Sequence, residues 1–301
     1  MSGVEASLPL PASIAIREVG PRDGLQPEAP VPVATRVELI TALIAAGASI
    51  VEVAAFVSPK AVPAMAGAAD VIAALPRSPA VRRVVLVPNV KGAELAAQAG
   101  VDALTLTVSV SEAYSQRNVN MSVDESLAQV GAIRAAVGDD LPIDTVVSCA
   151  FGSPYEGDIA PGSVASLGRR ALEGGSTSMT YADTTGMATP RRVGDLLAET
   201  GTDVGLHLHD TRGTALVNAY AALQAGVTRF DTAVGGLGGS PFAEGAGGNL
   251  ATEDLVHLCD DLGVRTGFDL EALLAVSSQV AGVVGHPVPS RVAAAGPRWN
   301  T

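Results

Sequence analysis

Cysteine, lysine and aromatic residues are all scarce in this chain of 301 residues. Two cysteines, Cys149 and Cys259, cannot build a disulfide framework, which favours a reducing compartment. Only two lysines occur, acidic residues outnumber lysine plus arginine by 31 to 19, and the net charge is −12. This balance excludes a broad basic surface for nucleic acid, and an anionic substrate requires a local cluster of cations.

Long hydrophobic runs and targeting patterns are also missing. No apolar stretch approaches the roughly 20 residues that a membrane helix needs. The first dozen residues show neither a signal peptide nor a transit peptide pattern. We therefore expect a cytoplasmic protein that binds neither a membrane nor nucleic acid. Aromatic residues make up 3% of the chain and hydrophobic residues 48%, so the core is expected to be aliphatic.

Short β-branched runs alternate with alanine-rich helical stretches eight times, which predicts a (β/α)8 TIM barrel. An open doubly wound sheet is the competing fold, but its glycine fingerprint is absent after the first strand, where the chain reads Gly20–Gly24. No linker divides the chain, so residues 1–301 are expected to form a single catalytic domain. A further helix is expected after the barrel, near Leu270–Val284. The eight strands are predicted near Ser13–Val19, Ser49–Phe56, Val81–Val87, Ala103–Val110, Asp144–Phe151, Thr177–Ala182, Asp203–Leu208 and Arg229–Val234.

Two histidines close the seventh predicted strand, in the sequence His207-Leu208-His209. Residues i and i+2 of a strand share a face, so both imidazoles are expected in the barrel mouth, where barrel enzymes place their active sites. Two neutral nitrogen ligands there suit one metal ion. Asp23 and the amide oxygen of Asn249 would complete an oxygen and nitrogen set. The alternatives are hydrogen-bonded strand-end histidines, a surface turn at Asp23 and a helix N-cap at Asn249.

Three further polar residues follow or lie within predicted strands. Arg22 could stabilise a developing oxyanion, the alternative being a surface turn. Glu52 lies in an apolar strand and needs a cationic partner, which we expect to be Arg22 or another cation; a structural ion pair is the alternative. Asp183 could orient a ligand or bind substrate, unless it only caps the following loop. The glycine-rich segment from Gly235 to Gly248 could let backbone approach a ligand and move as a lid.

Taken together, these segments resemble the 3-hydroxy-3-methylglutaryl-CoA lyase family, within the metal-dependent barrels that include isopropylmalate synthase. The resemblance runs from about Ile14 to Leu274. The motifs that carry it are Glu18–Gln26, Phe56–Lys60, Val87–Gly92, Val147–Ala150, Pro154–Gly157, His207–Thr211 and Gly235–Asp254.

The resemblance implies a divalent metal, usually Mg²⁺ or Mn²⁺, held by residues matching Asp23, His207, His209 and Asn249. It also implies retro-Claisen cleavage of a 3-hydroxyacyl-CoA into acetyl-CoA and a keto acid, with Arg22 stabilising the enolate-like oxygen. His207 and Asp183 are both candidates for the base that removes the hydroxyl proton. Lys60, Lys91 and Asn89, expected in loops after strands two and three, could bind coenzyme A phosphates, or they could be solvated loop residues.

Ser240 departs from the family pattern, because these lyases carry a cysteine at the matching loop position, regarded as the acid that protonates the enolate. A serine hydroxyl is a weaker acid, and a loss of order 10²–10⁴ in rate is expected. If protonation limits turnover, Ser240→Cys should raise the rate.

Three hypotheses follow from these residues. The chain is a lyase for 3-hydroxy-3-methylglutaryl-CoA, a lyase or carboligase for another acyl-CoA, or a non-catalytic metal- or acyl-CoA-binding relative. Gly245–Asn249 lacks the Gly-Glu-Arg-x-Gly-Asn-type loop of the synthases, which favours the lyases. The helix after the barrel suggests a homo-oligomer, such as a dimer.

Overall fold

Eight parallel strands close into a barrel in the computed structural model, which describes residues 10–239 and 247–298. Each strand pairs with the next in chain order, and β8 pairs back with β1. The predicted (β/α)8 barrel is thus confirmed. The strands are β1 Ala15–Glu18, β2 Ile50–Ala55, β3 Arg82–Leu86, β4 Ala103–Ser109, β5 Ile143–Ser148, β6 Ser178–Ala182, β7 Gly205–His207 and β8 Arg229–Thr232.

Helices surround the barrel and cover its outer face. Eight of them follow the eight strands: α1 Val33–Ala45, α2 Ala68–Ala74, α3 Val90–Ala99, α5 Val123–Val137, α6 Pro161–Glu173, α7 Pro190–Thr200, α8 Ala215–Ala225 and α9 Thr252–Leu262. Strand and helix faces bury one aliphatic core, rich in valine, leucine, isoleucine and alanine. Among the described residues, no helix is long and apolar enough to cross a membrane.

Three helices lie outside the eight-unit repeat. The helix expected after the barrel is present as α10, Leu270–Val284. Two others were not predicted: α4, Glu112–Val119, between β4 and α5, and the short α11, Arg291–Ala295. The segment before α11 returns to the barrel mouth, where the Ser290 amide donates to the carbonyl of Gly235 at 2.9 Å. The chain after the barrel therefore helps to hold the loop that follows β8.

Candidate metal centre and active site

The two histidines at the end of β7 lie side by side in the barrel mouth. His207 is the last residue of the strand and His209 follows two positions later. Their Nε2 atoms are 3.1 Å apart, and both side chains are buried. The shared face expected from strand periodicity is therefore present.

The other nitrogen of each ring has a fixed acceptor. His207 Nδ1 lies 3.2 Å from the Asp231 carboxylate, and His209 Nδ1 lies 3.0 Å from the Gly247 carbonyl. An acceptor at Nδ1 places the proton there and leaves a lone pair on Nε2. With both rings neutral these lone pairs repel each other at 3.1 Å, and either a proton on His207 Nε2 or a cation bound by both nitrogens relieves the repulsion. Two ligands about 2.1 Å from an ion at a right angle are about 3.0 Å apart, so the spacing fits a metal.

Oxygen donors complete the cluster. Asp23 Oδ2 lies 3.9 Å from His207 Nε2, and one ligand atom from each of Asp23, His207 and His209 lies within 4.8 Å of the others. Asn249 Nδ2 donates to Asp23 Oδ2 at 2.7 Å and to the Leu237 carbonyl at 2.9 Å. Its Oδ1 is buried and has no hydrogen-bond partner among residues 10–239 and 247–298. A buried amide oxygen with nothing to accept from is costly, and a metal ion would satisfy it.

Asn249 does not cap a helix, since α9 begins after Ala251 and its first turn receives no side-chain cap. Instead the backbone of Asn249 forms an isolated antiparallel β-bridge with His209, next to the end of β7. This bridge brings the fourth candidate ligand beside the histidines.

A π-helical turn, Gly20–Gly24, delivers Asp23 to the mouth directly after β1. The turn can form because Gly20 lacks a side chain: a Cβ there would lie 2.6 Å from Glu18 Oε1. Glu18 is completely buried and accepts from the amides of Gly20 at 2.7 Å and Val234 at 3.0 Å. It also accepts from the Thr252 hydroxyl at 2.5 Å, so one carboxylate joins β1 to the segment after β8 and to α9.

Arg22 is held between two carboxylates. Its Nε donates to Glu52 and its Nη1 to Asp23, both at 2.5 Å. The ion pair expected between Glu52 and Arg22 is therefore present, and the Thr105 hydroxyl donates to the second oxygen of Glu52. Within the described residues Arg22 Nη2 makes no hydrogen bond, so its N–H groups could bind an oxyanion.

The charges of the cluster set the pKa values of its members. Burial raises the pKa of Asp23, but Arg22, the two histidines and the hydrogen bond from Asn249 together outweigh burial and hold that pKa well below its usual range. Burial lowers the pKa of His207, but the hydrogen bond to Asp231 and the charge of Asp23 raise it above the usual value. Burial and the neighbouring His207 lower the pKa of His209 to about 4. His209 is thus the neutral imidazole of the pair at pH 7.

Asp183 follows β6 beside the histidines, and its amide donates to the His207 carbonyl at 2.8 Å. Its Oδ1 accepts from the amides of Met187 at 2.6 Å and Ala188 at 2.9 Å, so the capping expected as an alternative does occur. Its Oδ2 is buried and has no partner in the described part of the chain, and burial raises the pKa of Asp183 to about 7. One oxygen of this carboxyl is therefore structural and the other is available for chemistry.

Of the residues expected to meet coenzyme A, Lys91 lies differently from the prediction. Lys60 is exposed in the loop after β2, as expected. Lys91 is not in a loop but in the first turn of α3, because Asn89 caps that helix by accepting from the Gly92 amide at 3.0 Å. The Asn89 side-chain oxygen is thus engaged, and Lys91 is 73% exposed beside Glu94. Ser240 lies outside the described residues.

Sequence reasoning missed Asp231, although it contacts a candidate ligand directly, and the buried Glu253. Glu253 accepts from the Gly235 amide at 3.0 Å and from the Ser277 hydroxyl at 2.6 Å, which fixes the start of the glycine-rich segment against α10. The sequence offered one signal for each: Asp231 is an acidic residue inside a predicted strand, and Glu253 is an acidic residue at the start of a helix. Neither position identifies its partner, because the partners lie on other elements.

The fold and the site define the class: a (β/α)8 barrel with a candidate metal site at the carboxyl ends of its strands. The HMGL-like family model matches residues 13–280, nearly the whole chain. The chain belongs to this family.

Characterised relatives and solved structures agree with that assignment. The chain is 41% identical over 293 residues to the 3-hydroxy-3-isohexenylglutaryl-CoA/hydroxy-methylglutaryl-CoA lyase of Pseudomonas aeruginosa, covering 95% of this chain and 98% of that protein. It is also 41% identical to the (R)-citramalyl-CoA lyase of Chloroflexus aurantiacus, covering 95% of each. The HMG-CoA lyase of Acinetobacter baumannii, solved with coenzyme A and 3-methylmalate, superposes with a TM-score of 0.92 at 39% identity, covering 96% of this chain and 97% of that one.

Proposed function

We propose that the protein is a divalent-metal-dependent carbon–carbon lyase that cleaves 3-hydroxy-3-methylglutaryl-CoA, or a close 3-hydroxyacyl-CoA, to acetyl-CoA and a keto acid. The observation that carries this proposal is the cluster of Asp23, His207 and His209 beside the unpartnered Oδ1 of Asn249. Family membership supports it, as do two relatives that are named as lyases for three acyl-CoA esters.

The donor set of two imidazoles, one carboxylate and one amide oxygen fits a hard or borderline divalent ion, and we propose Mg²⁺ or Mn²⁺. When bound, the metal supplies a Lewis acid that polarises substrate oxygens. His207 and His209 then present Nε2 to the ion, because Asp231 and Gly247 hold the Nδ1 protons.

Asp183 is the better of the two candidate bases. The lone pair on His207 Nε2 faces His209 and would bind the metal, so it is not available as a base. Asp183 Oδ2, in contrast, is buried and has no partner among the described residues. We propose that Asp183 accepts the proton of the substrate's 3-hydroxyl group. The bond between C2 and C3 then breaks, the C3 oxygen becomes a ketone, and the electron pair forms the enolate of the acetyl thioester.

Arg22 lies where it can stabilise that enolate oxygen. Glu52 and Asp23 fix two of its nitrogens, and the Nη2 N–H groups are left for the developing charge. A proton must then be added at C2 to give acetyl-CoA. We retain Ser240 as the proposed donor for this step, with Lys60, Lys91 and Asn89 as weaker candidates for coenzyme A phosphates. The cytoplasmic location and the homo-oligomer stay predictions from the sequence.

The direct test is an assay of purified protein with 3-hydroxy-3-methylglutaryl-CoA and Mg²⁺ or Mn²⁺, following acetyl-CoA and acetoacetate. We expect product that disappears with EDTA and in the His209→Gln variant. A parallel panel with citramalyl-CoA and 3-hydroxy-3-isohexenylglutaryl-CoA identifies the acyl group. Cleavage of none of these thioesters by protein that still binds Mn²⁺ would contradict the lyase proposal.

A further inference from the structure

A second charged network lies inside the barrel directly behind the metal centre. Arg17 points inward from β1 and forms two hydrogen bonds with Asp231 of β8, Nε to Oδ1 at 2.8 Å and Nη2 to Oδ2 at 2.6 Å. Its Nη1 donates to Asp144 of β5 at 2.8 Å. The three side chains are between 7% and 12% exposed, so the network is well shielded from solvent.

The network touches the metal centre at one atom. Asp231 Oδ2, which accepts from Arg17 Nη2, is also the oxygen that faces His207 Nδ1 at 3.2 Å. Arg17 therefore fixes both oxygens of the carboxylate that sets the tautomer and orientation of a candidate ligand. A carboxylate held on one side only could rotate about its Cβ–Cγ bond and release the imidazole.

Arg17 itself is held in place from the opposite side of the barrel. Asp144 accepts from Arg17 and also from the hydroxyls of Ser178 at 2.6 Å and Thr180 at 2.7 Å, both in β6. The guanidinium thus lies between two carboxylates, one on β5 and one on β8. Such buried charges are costly unless every partner is in place, so this arrangement needs a reason beyond packing.

We propose that Arg17 is a positioning residue for the metal: it clamps Asp231 so that His207 presents Nε2 to a divalent cation. This inference rests on the metal centre of the proposed function and not on the acyl-CoA that is cleaved. Removing the clamp weakens metal binding even where the four ligands are untouched.

The test compares two double variants that each remove one arginine–aspartate ion pair with a shielded arginine; Asp102 of the control pair is the more exposed aspartate, at 38% against 12% for Asp144. Arg17→Met with Asp144→Asn removes the clamp together with the charge of Asp144, and leaves Asp231 with His207 as its side-chain partner. The matched control, Arg83→Met with Asp102→Asn, removes the pair in which Arg83 Nε donates to Asp102 at 2.9 Å. Mn²⁺ affinity is measured by calorimetry, and the visible absorption of bound Co²⁺ reports the ligand geometry. Thermal unfolding of each protein separates stability from binding.

We expect the Arg17→Met/Asp144→Asn variant to bind Mn²⁺ about 10- to 100-fold more weakly and to change the Co²⁺ spectrum. The control variant should lose stability only. If the Arg17 variant does not fold, Arg17→Lys, which keeps the charge without the planar fork, should still change the Co²⁺ spectrum and lower the affinity. Wild-type affinity and spectrum in a folded Arg17 variant would overturn the role of Arg17 alone. A wild-type protein that binds no Mn²⁺ would overturn the metal centre as well.

Discussion

At the scale of single residues, Glu18 shows how a buried carboxyl makes stability depend on pH. Burial raises the pKa of Glu18 from 4.5 to about 7, although Thr252, Val234 and Gly20 donate to the carboxylate. The folded protein therefore keeps a proton that the unfolded chain releases between these pH values. This contribution to stability is complete below pH 4.5 and is lost as the pH rises through about 7.

The variant Glu18→Gln cannot ionise and should escape this loss. Relative to the wild type, its free energy of unfolding should rise by about 1 to 3 kcal/mol as the pH increases from 4.5 to 7. Urea unfolding of both proteins at several pH values measures the difference. Between pH 7.5 and 9 the difference should be constant, which serves as the internal control. A difference that does not change across the lower range would refute the prediction.

Arg22 gives a second prediction for one residue. Arg22→Lys keeps a positive charge but loses the planar fork that meets Glu52 and Asp23 together. We expect kcat for thioester cleavage to fall about 10²- to 10³-fold, as when one oxyanion donor is removed. Arg82→Lys, at an exposed position in β3, should leave kcat unchanged. Equal rates in the two variants would show that Arg22 has no role in the chemical step.

Local sequence identified the residues that lie next to one another along the chain or at a strand end. His207 and His209 could be predicted as a pair because strand periodicity alone puts them on one face. The partner of Asp231 could not be predicted, because Arg17 and Asp231 are 214 residues apart and meet only when β1 closes against β8. Tertiary closure, which has no local signal, decides these contacts.

At the scale of elements, the eight strands were predictable while their ends and the helix starts were less so. Only three residues of the predicted strand Asp203–Leu208 pair as β7. Lys91 was expected in a loop because the capping role of Asn89 was not recognised. Both errors concern the one or two residues at an end of an element. At such ends, side-chain caps and isolated β-bridges, such as the one between His209 and Asn249, compete with regular structure.

A prediction at this scale concerns Gly248 and Asn249, at the end of the glycine-rich segment. A Cβ at Gly248 would overlap the backbone carbonyl of Gly236, and Asn249 follows immediately. Gly248→Ala should therefore displace Asn249, weaken Mn²⁺ binding at least 10-fold and lower the unfolding temperature, because backbone atoms must shift. Calorimetry and thermal unfolding measure the two effects.

Gly194→Ala is the matched control, because Gly194 lies in α7 with no atom within 4 Å of an added Cβ. That variant should be more stable by roughly 0.5 to 1 kcal/mol, since alanine is the better helix former. Wild-type metal affinity in Gly248→Ala would show that the close approach of Gly248 to Gly236 does not position Asn249.

At the scale of the whole molecule, a metal that binds only the folded chain should stabilise it. Mn²⁺ at 100 times its dissociation constant should add about 2.7 kcal/mol to the free energy of unfolding. Differential scanning calorimetry with Mn²⁺ and with EDTA measures the shift in unfolding temperature. His209→Gln should show no shift, since it lacks one of the clustered ligands. A shift of equal size in that variant would place the stabilising ion elsewhere.

The two charged networks also share one electrostatic property. The six charged groups of these two networks, four carboxylates and two guanidiniums, carry a net charge of −2, without counting Asp183 or the imidazoles. The groups are Asp23, Glu52, Asp144, Asp231, Arg17 and Arg22. A divalent ion would neutralise this net charge, whereas Na⁺ or K⁺ would leave one buried negative charge. The two networks would therefore favour a divalent over a monovalent ion by charge as well as by ligand type.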